Sequence, residues 1–230
     1  MQLLESLKKL PRPDVFLLQE VQGRCEAWRI ATELDYPYVE YTNYDPQESY
    51  GIAILSRHEL TNHRELRFNV NKNGQGALFA EVEIGGKTLL LGCVHFHHIE
   101  AITRHQGAYT PGVRELGKML MKEVFQENDR SKSARELLEF LATQGRDQVI
   151  LGGDFNTIPF SKAIRTLNHS LRDVLWPSAD YLDSTYQRLD FPIRPRIDYI
   201  FHSAAVHRED AEVLKFTPGD HLPVLARFRL

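Results

Sequence analysis

The chain has 230 residues, 42% hydrophobic and 26% charged, with a formal charge of −3. This is the make-up of one soluble domain rather than a repeat array or a disordered tail. A chain of this length buries roughly 70–75% of the surface its unfolded form exposes, so neither disulfides nor a structural metal are needed for folding. The mild negative charge argues against binding nucleic acid mainly through a large positive field, while leaving room for a nuclease whose metal supplies positive charge locally.

Apolar stretches such as residues 15–18 and 89–91 fall far short of the ~20 residues of a membrane-spanning helix. Glu5, Lys8 and Lys9 interrupt the opening turns, so no secretory signal pattern is read there. Cys25 and Cys93 are too few for a disulfide framework, fit a reduced compartment, and are expected as inert packing residues. A monomer in the cytoplasm is the expectation, and a segment upstream of Met1 would weaken the second half of it.

In chain order, Leu3, Leu4, Leu7 and Leu10 stand at helical spacing and Pro11 and Pro13 stop the helix. Residues 15–18 follow as a short continuous apolar run, the pattern of a strand covered on both faces. Comparable runs recur at 51–55, 78–84, 87–95, 148–152, 197–201 and 222–230, and Gly85-Gly86 joins two of them as a hairpin turn. Helical patterns cover 113–125, 134–142 and 161–167. No repeat, low-complexity tract or linker divides the chain, so residues 1–230 form a single domain. Strands in hairpins and strands separated by helices imply mixed sheets with helices outside, and seven or more strands call for two stacked sheets. A helix at residue 2 feeding a buried strand normally follows an earlier strand in a βαβ unit, and the sequence shows none.

The chemistry-bearing residues stand where apolar runs meet loops: Gln19-Glu20, His95, Asp154 and Asn156, Asp198, and Asp220-His221. Acids at strand ends can converge on one rim, whereas inside a sandwich they would be costly to bury. Asp154 and Asn156 are two apart and leave extended backbone on one face, and Gly152-Gly153 permits close approach just before them. Glu20, Asp154, Asn156 and Asp220 make an oxygen-rich set without cysteine, suited to Mg²⁺ or Mn²⁺. A carboxylate such as Asp198 beside His221 would fix the imidazole tautomer and stabilise its charged form.

Leu18-Gln19-Glu20-Val21, Gly153-Asp154-Phe155-Asn156, Arg196-Ile197-Asp198-Tyr199 and Gly219-Asp220-His221-Leu222-Pro223-Val224 resemble, in order, the motifs of the endonuclease/exonuclease/phosphatase (DNase I-like) superfamily. The resemblance runs from residue 2 to residue 230. It implies an α/β four-layer sandwich, with two mixed, mainly antiparallel sheets face to face and helices outside, carrying out metal-dependent phosphoester hydrolysis by direct attack of water. By the same resemblance Glu20 binds the divalent metal and Asp220 contributes to its site. Asp154 orients or deprotonates water, Asn156 donates to phosphoryl oxygens, Asp198 and His221 pair at the scissile phosphate, and His95 stabilises charge there. Either Asp154 or His221 can serve as the base. Two departures stand out: no strand with the family's asparagine precedes the first helix, and Gly219 replaces a more usual serine.

Several alternatives stand beside these assignments. Asp198 could pair with Arg196 or Arg194 instead. His95-Phe96-His97-His98 with His105 could hold zinc as an H-x-H site, making the protein a zinc hydrolase. The long excursion over 96–130 carries Arg104, His105, Tyr109 and Arg114, and Arg104 or Arg114 could meet a substrate phosphate. The substrate is a phosphoester, whether nucleic acid, inositol phosphate or lipid headgroup. A catalytically degenerate binding or scaffold domain is the non-enzymatic alternative.

Overall fold

The computed structural model describes residues 2–9, 11–43, 50–69, 75–98, 113–187, 194–215 and 219–230. The first half runs α1 (Gln2–Leu7), β1 (Val15–Val21), α2 (Gly23–Leu34), β2 (Tyr38–Thr42), β3 (Gly51–Ser56), β4 (Leu60–Arg67), β5 (Gly76–Ile84) and β6 (Lys87–His95). The second half continues with α3 (Val113–Phe125), α4 (Asp129–Thr143), β7 (Val149–Asp154), α5 (Lys162–Leu167), β8 (Arg172–Asp173), β9 (Asp198–His202), β10 (His207–Val213) and β11 (Val224–Arg229). The strands form a three-stranded sheet in the order β1-β3-β2, a six-stranded sheet in the order β4-β5-β6-β7-β9-β8, and a β10-β11 ribbon.

Burial explains the stacking. β3 is buried along its whole length and β6 over its last seven residues, because the two sheets press Ile52, Ile54, Leu78, Leu91 and Cys93 between them. The outer face of the small sheet is closed by α2, whose Ala27, Ile30, Ala31 and Leu34 fall at helical spacing. The outer face of the large sheet is closed by α4 and α5 through Ala134, Leu137, Ile164 and Leu167. Helix, sheet, sheet and helix are the four expected layers.

The strands and helices the sequence reading passed over are β2, β4, the two-residue β8, β10 and α2. β4 and β10 expose most of their residues, so they carry no apolar run to detect. Cys93 is buried between the sheets, as expected, but Cys25 is exposed, since it lies on the outer side of α2.

Among the described strands β1 pairs only with β3, so its other edge is open where the sequence called for an earlier neighbour. A groove of about 1120 Å³ runs along that edge toward β11, lined by Val15, Leu17, Leu91, Ile150, Val224 and Phe228. Its far end opens on Glu20, Asp154, Asp198 and His221.

A buried ion pair and a buried carboxylate held by two partly exposed arginines secure the large sheet. Arg196 and Asp173 meet at 2.6 Å with both side chains wholly buried, the guanidinium lying over Tyr199 at 4.3 Å. On β5, Glu81 is 2% exposed and accepts from Arg64, Arg146 and Asn62. The Arg146 hydrogen bond, opposed by burial and aided by Asn62 and Arg64, brings its carboxyl down to about 2. A carboxyl depressed on folding stabilises the native state above its ordinary 4.5 and loses that contribution as pH falls toward 2. Glu81→Gln should therefore cost about 1–3 kcal/mol of stability near neutrality. The gap to the wild type in denaturant unfolding should close as pH falls below 4.5.

Candidate active site

Strand register creates the site. In the parallel pair β6–β7, His95 stands opposite Asp154, and in the antiparallel pair β7–β9, Asp154 stands opposite Asp198. Three polar residues thus form one row across three neighbouring strands. Two residues back on each strand are Cys93, Gly152 and Ile200; Cys93 and Ile200 belong to the core between the sheets, so the row closes the end of that core. Gly153 makes the pairing possible. Its φ is 151°, and a Cβ there would lie 1.9 Å from the Val94 carbonyl oxygen, so no larger residue fits next to Asp154. Gly152 likewise admits Leu17 of β1, which would come within 2.8 Å of a Cβ.

The small sheet supplies the opposing group. The β1–β3 register slips between Leu18 and Val21, and Glu20 adopts a left-handed φ of 55°. Such backbone costs roughly 1–3 kcal/mol for a non-glycine residue, and here it brings the carboxylate to the cleft beside His95 and His98. Two acid–imidazole clusters result among the described residues: Glu20, His95 and His98, and Asp154, Asp198 and His221, each with ligand atoms within 4.8 Å of one another. They are contiguous, His95 Nε2 lying 3.9 Å from Asp154 Oδ2.

Charge is arranged unevenly across the row. Burial pushes the Asp154 carboxyl well above the carboxylate range, and Asp198 opposite adds to this. His221 would be drawn down by burial, but Asp198, 3.0 Å from its Nδ1, outweighs that with help from Asp154 and Asp220, lifting the imidazole to about 10. Burial lowers His95 to about 3, the neighbouring imidazoles of His98, His221 and His97 acting the same way. At neutral pH His221 is a cation and His95 a neutral ring. Thr185 Oγ1 accepts from the backbone N–H groups of Ile197 and Asp198, each at 3.0 Å, which holds the acid in place.

His98 is set by a chain of contacts. The Asn156 amide nitrogen donates to the Phe96 carbonyl at 3.0 Å, so its oxygen faces His98 Nδ1 at 3.2 Å. That oxygen can only accept, which places the proton of His98 on Nδ1 and leaves Nε2 free toward Glu20, 3.9 Å away. The Asn156 backbone N–H binds Asp154 Oδ1 at 2.8 Å. From the opposite side the Arg130 guanidinium donates to the His97 and His98 carbonyls at 3.2 and 3.1 Å. Arg130 is itself bonded to Glu123, which also accepts from Thr157.

Of the residues singled out from sequence, Glu20, His95, Asp154, Asn156, Asp198 and His221 come together. Asp198 pairs with His221, whereas Arg196 is taken by Asp173. Asp220 is exposed, and its carboxylate is in neither cluster. Arg114 is exposed on α3; Arg104, His105 and Tyr109 lie outside the described residues. His97 turns to the Gln75 side chain at 3.0 Å, so the H-x-H spacing gives way to His95 with His98. Arg130 and Thr185 escaped sequence reading as site residues, and His98 was named only within the zinc alternative. Their roles arise where the chain leaves β6 and from helix packing, neither of which periodicity records.

The fold and this cleft define a member of the endonuclease/exonuclease/phosphatase class. The model of the Endonuclease/Exonuclease/phosphatase family matches residues 1–221, and the chain belongs to that family. An endonuclease/exonuclease/phosphatase from Bacteroides vulgatus superposes with a TM-score of 0.71 at 18% identity, over 94% of this chain and 85% of that one. A mannosyl-6-phosphatase from Bacteroides thetaiotaomicron gives a TM-score of 0.68 at 19% identity, over 94% and 85%. D. rerio TDP2 complexed with a single-strand DNA product gives 0.68 at 16%, over 95% and 86%. Comparison with curated proteins gives no match.

A histidine whose proton affinity rises on folding stabilises the native state fully below its ordinary 6.5 and loses that contribution as pH rises toward 10. The difference in thermal midpoint between the wild type and His221→Gln should therefore be largest near pH 6 and shrink steadily toward pH 10.

Proposed function

We propose that the protein is a divalent-metal-dependent phosphoester hydrolase in which water attacks phosphorus directly. The observation that carries this reading is the His95–Asp154–Asp198 row, with His221 bonded to Asp198 and Glu20 facing it from the other sheet. An anionic substrate would find in His221 a fixed cation, held in place by Asp198. Asp154 is the group to take the proton of water. It is buried, its affinity for a proton is raised, and its orientation is fixed by the Asn156 backbone, which suits a general base. His221 already carries its proton at neutral pH, so its part is to stabilise negative charge on the phosphoryl oxygens and leaving group.

The donor set fits a dication. Glu20 presents an exposed carboxylate 3.9 Å from His98 Nε2, and among the described residues the buried His95 Nε2 has no hydrogen-bond partner. Glu20 would hold the ion on the small-sheet side, and its carboxylate chemistry suits Mg²⁺ or Mn²⁺. When bound, the cation polarises the phosphoryl group and neutralises part of its charge. Asp220, expected from sequence to contribute to the metal site, stands outside both clusters and adds negative charge beside His221.

The mild negative charge of the chain, −3, favours a small phosphoester or lipid headgroup over duplex DNA. A panel of a sugar phosphate, an inositol phosphate, sphingomyelin and single-stranded DNA, each with Mg²⁺ and with Mn²⁺, tests the reading. Hydrolysis of at least one substrate in a metal-dependent way is expected, and Asp154→Asn should lower its kcat by about 10²–10⁴-fold while the circular dichroism spectrum stays native. No turnover of any substrate with either metal, in folded protein, would leave the binding or scaffold reading in its place.

A further inference from the structure

Single apolar side chains on a protein surface are ordinary, but a connected exposed band is not. Among the described residues, five of the eight large apolar side chains left exposed form such a band: Met121, Phe125, Phe160, Trp176 and Leu182, each 51–68% exposed. Tyr181 is its centre. Phe160 meets the Tyr181 ring at 5.4 Å and Trp176 meets it at 4.9 Å, both edge to face, and Leu182 follows in the chain. The Arg165 guanidinium ties α3 to this group, donating to the Phe160 carbonyl at 2.5 Å and to the Val124 carbonyl at 2.8 Å. Phe125 is thereby set beside Phe160, and Met121 lies one turn back on the same exposed face of α3. We propose that this band is a docking surface for a phospholipid bilayer that carries anionic lipid.

Charge on the helix favours a lipid surface. Arg114, Lys118 and Lys122 stand exposed at four-residue steps along α3, beside Met121 and Phe125, against one exposed acid on that helix, Glu115. Two acids near the band are already paired, Glu127 with Arg135 and Lys162, and Asp183 with Lys215. The face is therefore basic although the chain as a whole carries −3. Cations alongside apolar groups suit a helix lying in the headgroup layer, where the long basic side chains reach phosphates and the apolar ones enter the acyl boundary. Protein interfaces instead keep charge out of their apolar centre. The backbone adds a second argument. Phe160 holds a left-handed φ of 67°, which a bulky residue adopts only under constraint, and here Arg165 grips its carbonyl while the ring faces outward. Position supplies a third. Phe160 follows Asn156 by four residues, at most about 14 Å of chain. Leu182 precedes by three residues Thr185, whose hydroxyl accepts from the Asp198 N–H. The band thus borders the rim that carries the cleft.

Docking uses none of the catalytic groups; that it presents the cleft to phosphoesters of the headgroup layer rests on the hydrolase reading. The whole protein should be sedimented with vesicles of phosphatidylcholine, alone and with phosphatidylserine as a minor component. Binding to the mixed vesicles is expected, tighter than to phosphatidylcholine alone and weakening as salt rises. The chain has two tryptophans, and Trp28 lies on α2 in the opposite outer layer. Trp28→Phe should leave binding unchanged, and the emission of the remaining Trp176 should shift to the blue on vesicles and be quenched by brominated lipid. Phe125→Ser and Trp176→Ser should each weaken binding by at least ~5-fold. Lys118→Gln combined with Lys122→Gln should weaken it by at least ~10-fold on the mixed vesicles. Phe125 and the two lysines are exposed on a helix, so these variants keep the test open should Trp176→Ser fail to fold. Absence of binding to the mixed vesicles, or binding that neither Phe125→Ser nor the double lysine variant weakens, would overturn the proposal. So would a dimer that Phe125→Ser dissolves in place of vesicle binding, or quenching of Trp176 by single-stranded DNA and not by lipid. Vesicle binding without turnover of any phosphoester would contradict the hydrolase reading and leave this one standing; metal-dependent turnover without vesicle binding would do the reverse.

Discussion

The site depends on one constraint: the backbone register that sets β6, β7 and β9 side by side with no side chain at Gly153. Hydrogen bonding between these strands does more than build the sheet. It forces His95, Asp154 and Asp198 into a single row at the end of the core between the two sheets. Two carboxylates directly opposite each other on adjacent strands repel, and Asp154 is buried besides. Such a row persists only with positive charge beside it. His221 supplies one such charge through Asp198, and the open space between Asp154, His95 and Glu20 is suited to another.

That constraint also explains why the small sheet matters. The slip of β1 against β3 and the left-handed backbone at Glu20 would be a defect in a strand with structural duties alone. Here they bring a carboxylate from one sheet to the rim of the other. The four layers therefore act as a clamp: the α2 side carries Glu20, the α4 and α5 side carries the row, and the apolar residues between the sheets fix their separation.

What could be read from sequence follows from how each element is stabilised. Strands buried on both faces, such as β3, β6 and β7, are continuous apolar runs and were legible to within about two residues. Edge strands β4 and β10 are held by neighbours and ion pairs rather than by their own apolar residues, so pattern reading missed them. α2 carries a helical spacing in Ala27, Ile30, Ala31 and Leu34, but it opens at Gln22 without a side-chain cap, so no start signal marks it. In the cleft, Glu20, Asp154, Asn156, Asp198 and His221 were legible because each lies within three residues of a strand end and belongs to one of the motifs that carry the family resemblance. His98 was legible only within the zinc alternative. Strand alternation pairs His95 with His97, but the chain leaves β6 at His95, Phe96 sinks into the core, and the third residue on returns to the cleft.

Crystals of the protein soaked with Mn²⁺ and analysed by anomalous diffraction test the central claim most directly. The account predicts a manganese peak in direct contact with the Glu20 carboxylate, on the side of the cleft that faces Asp154 and His95, with the strand row unmoved. A fully ordered Glu20 and Asp154 with no manganese between the two sheets, at an ion concentration that saturates activity, would contradict it.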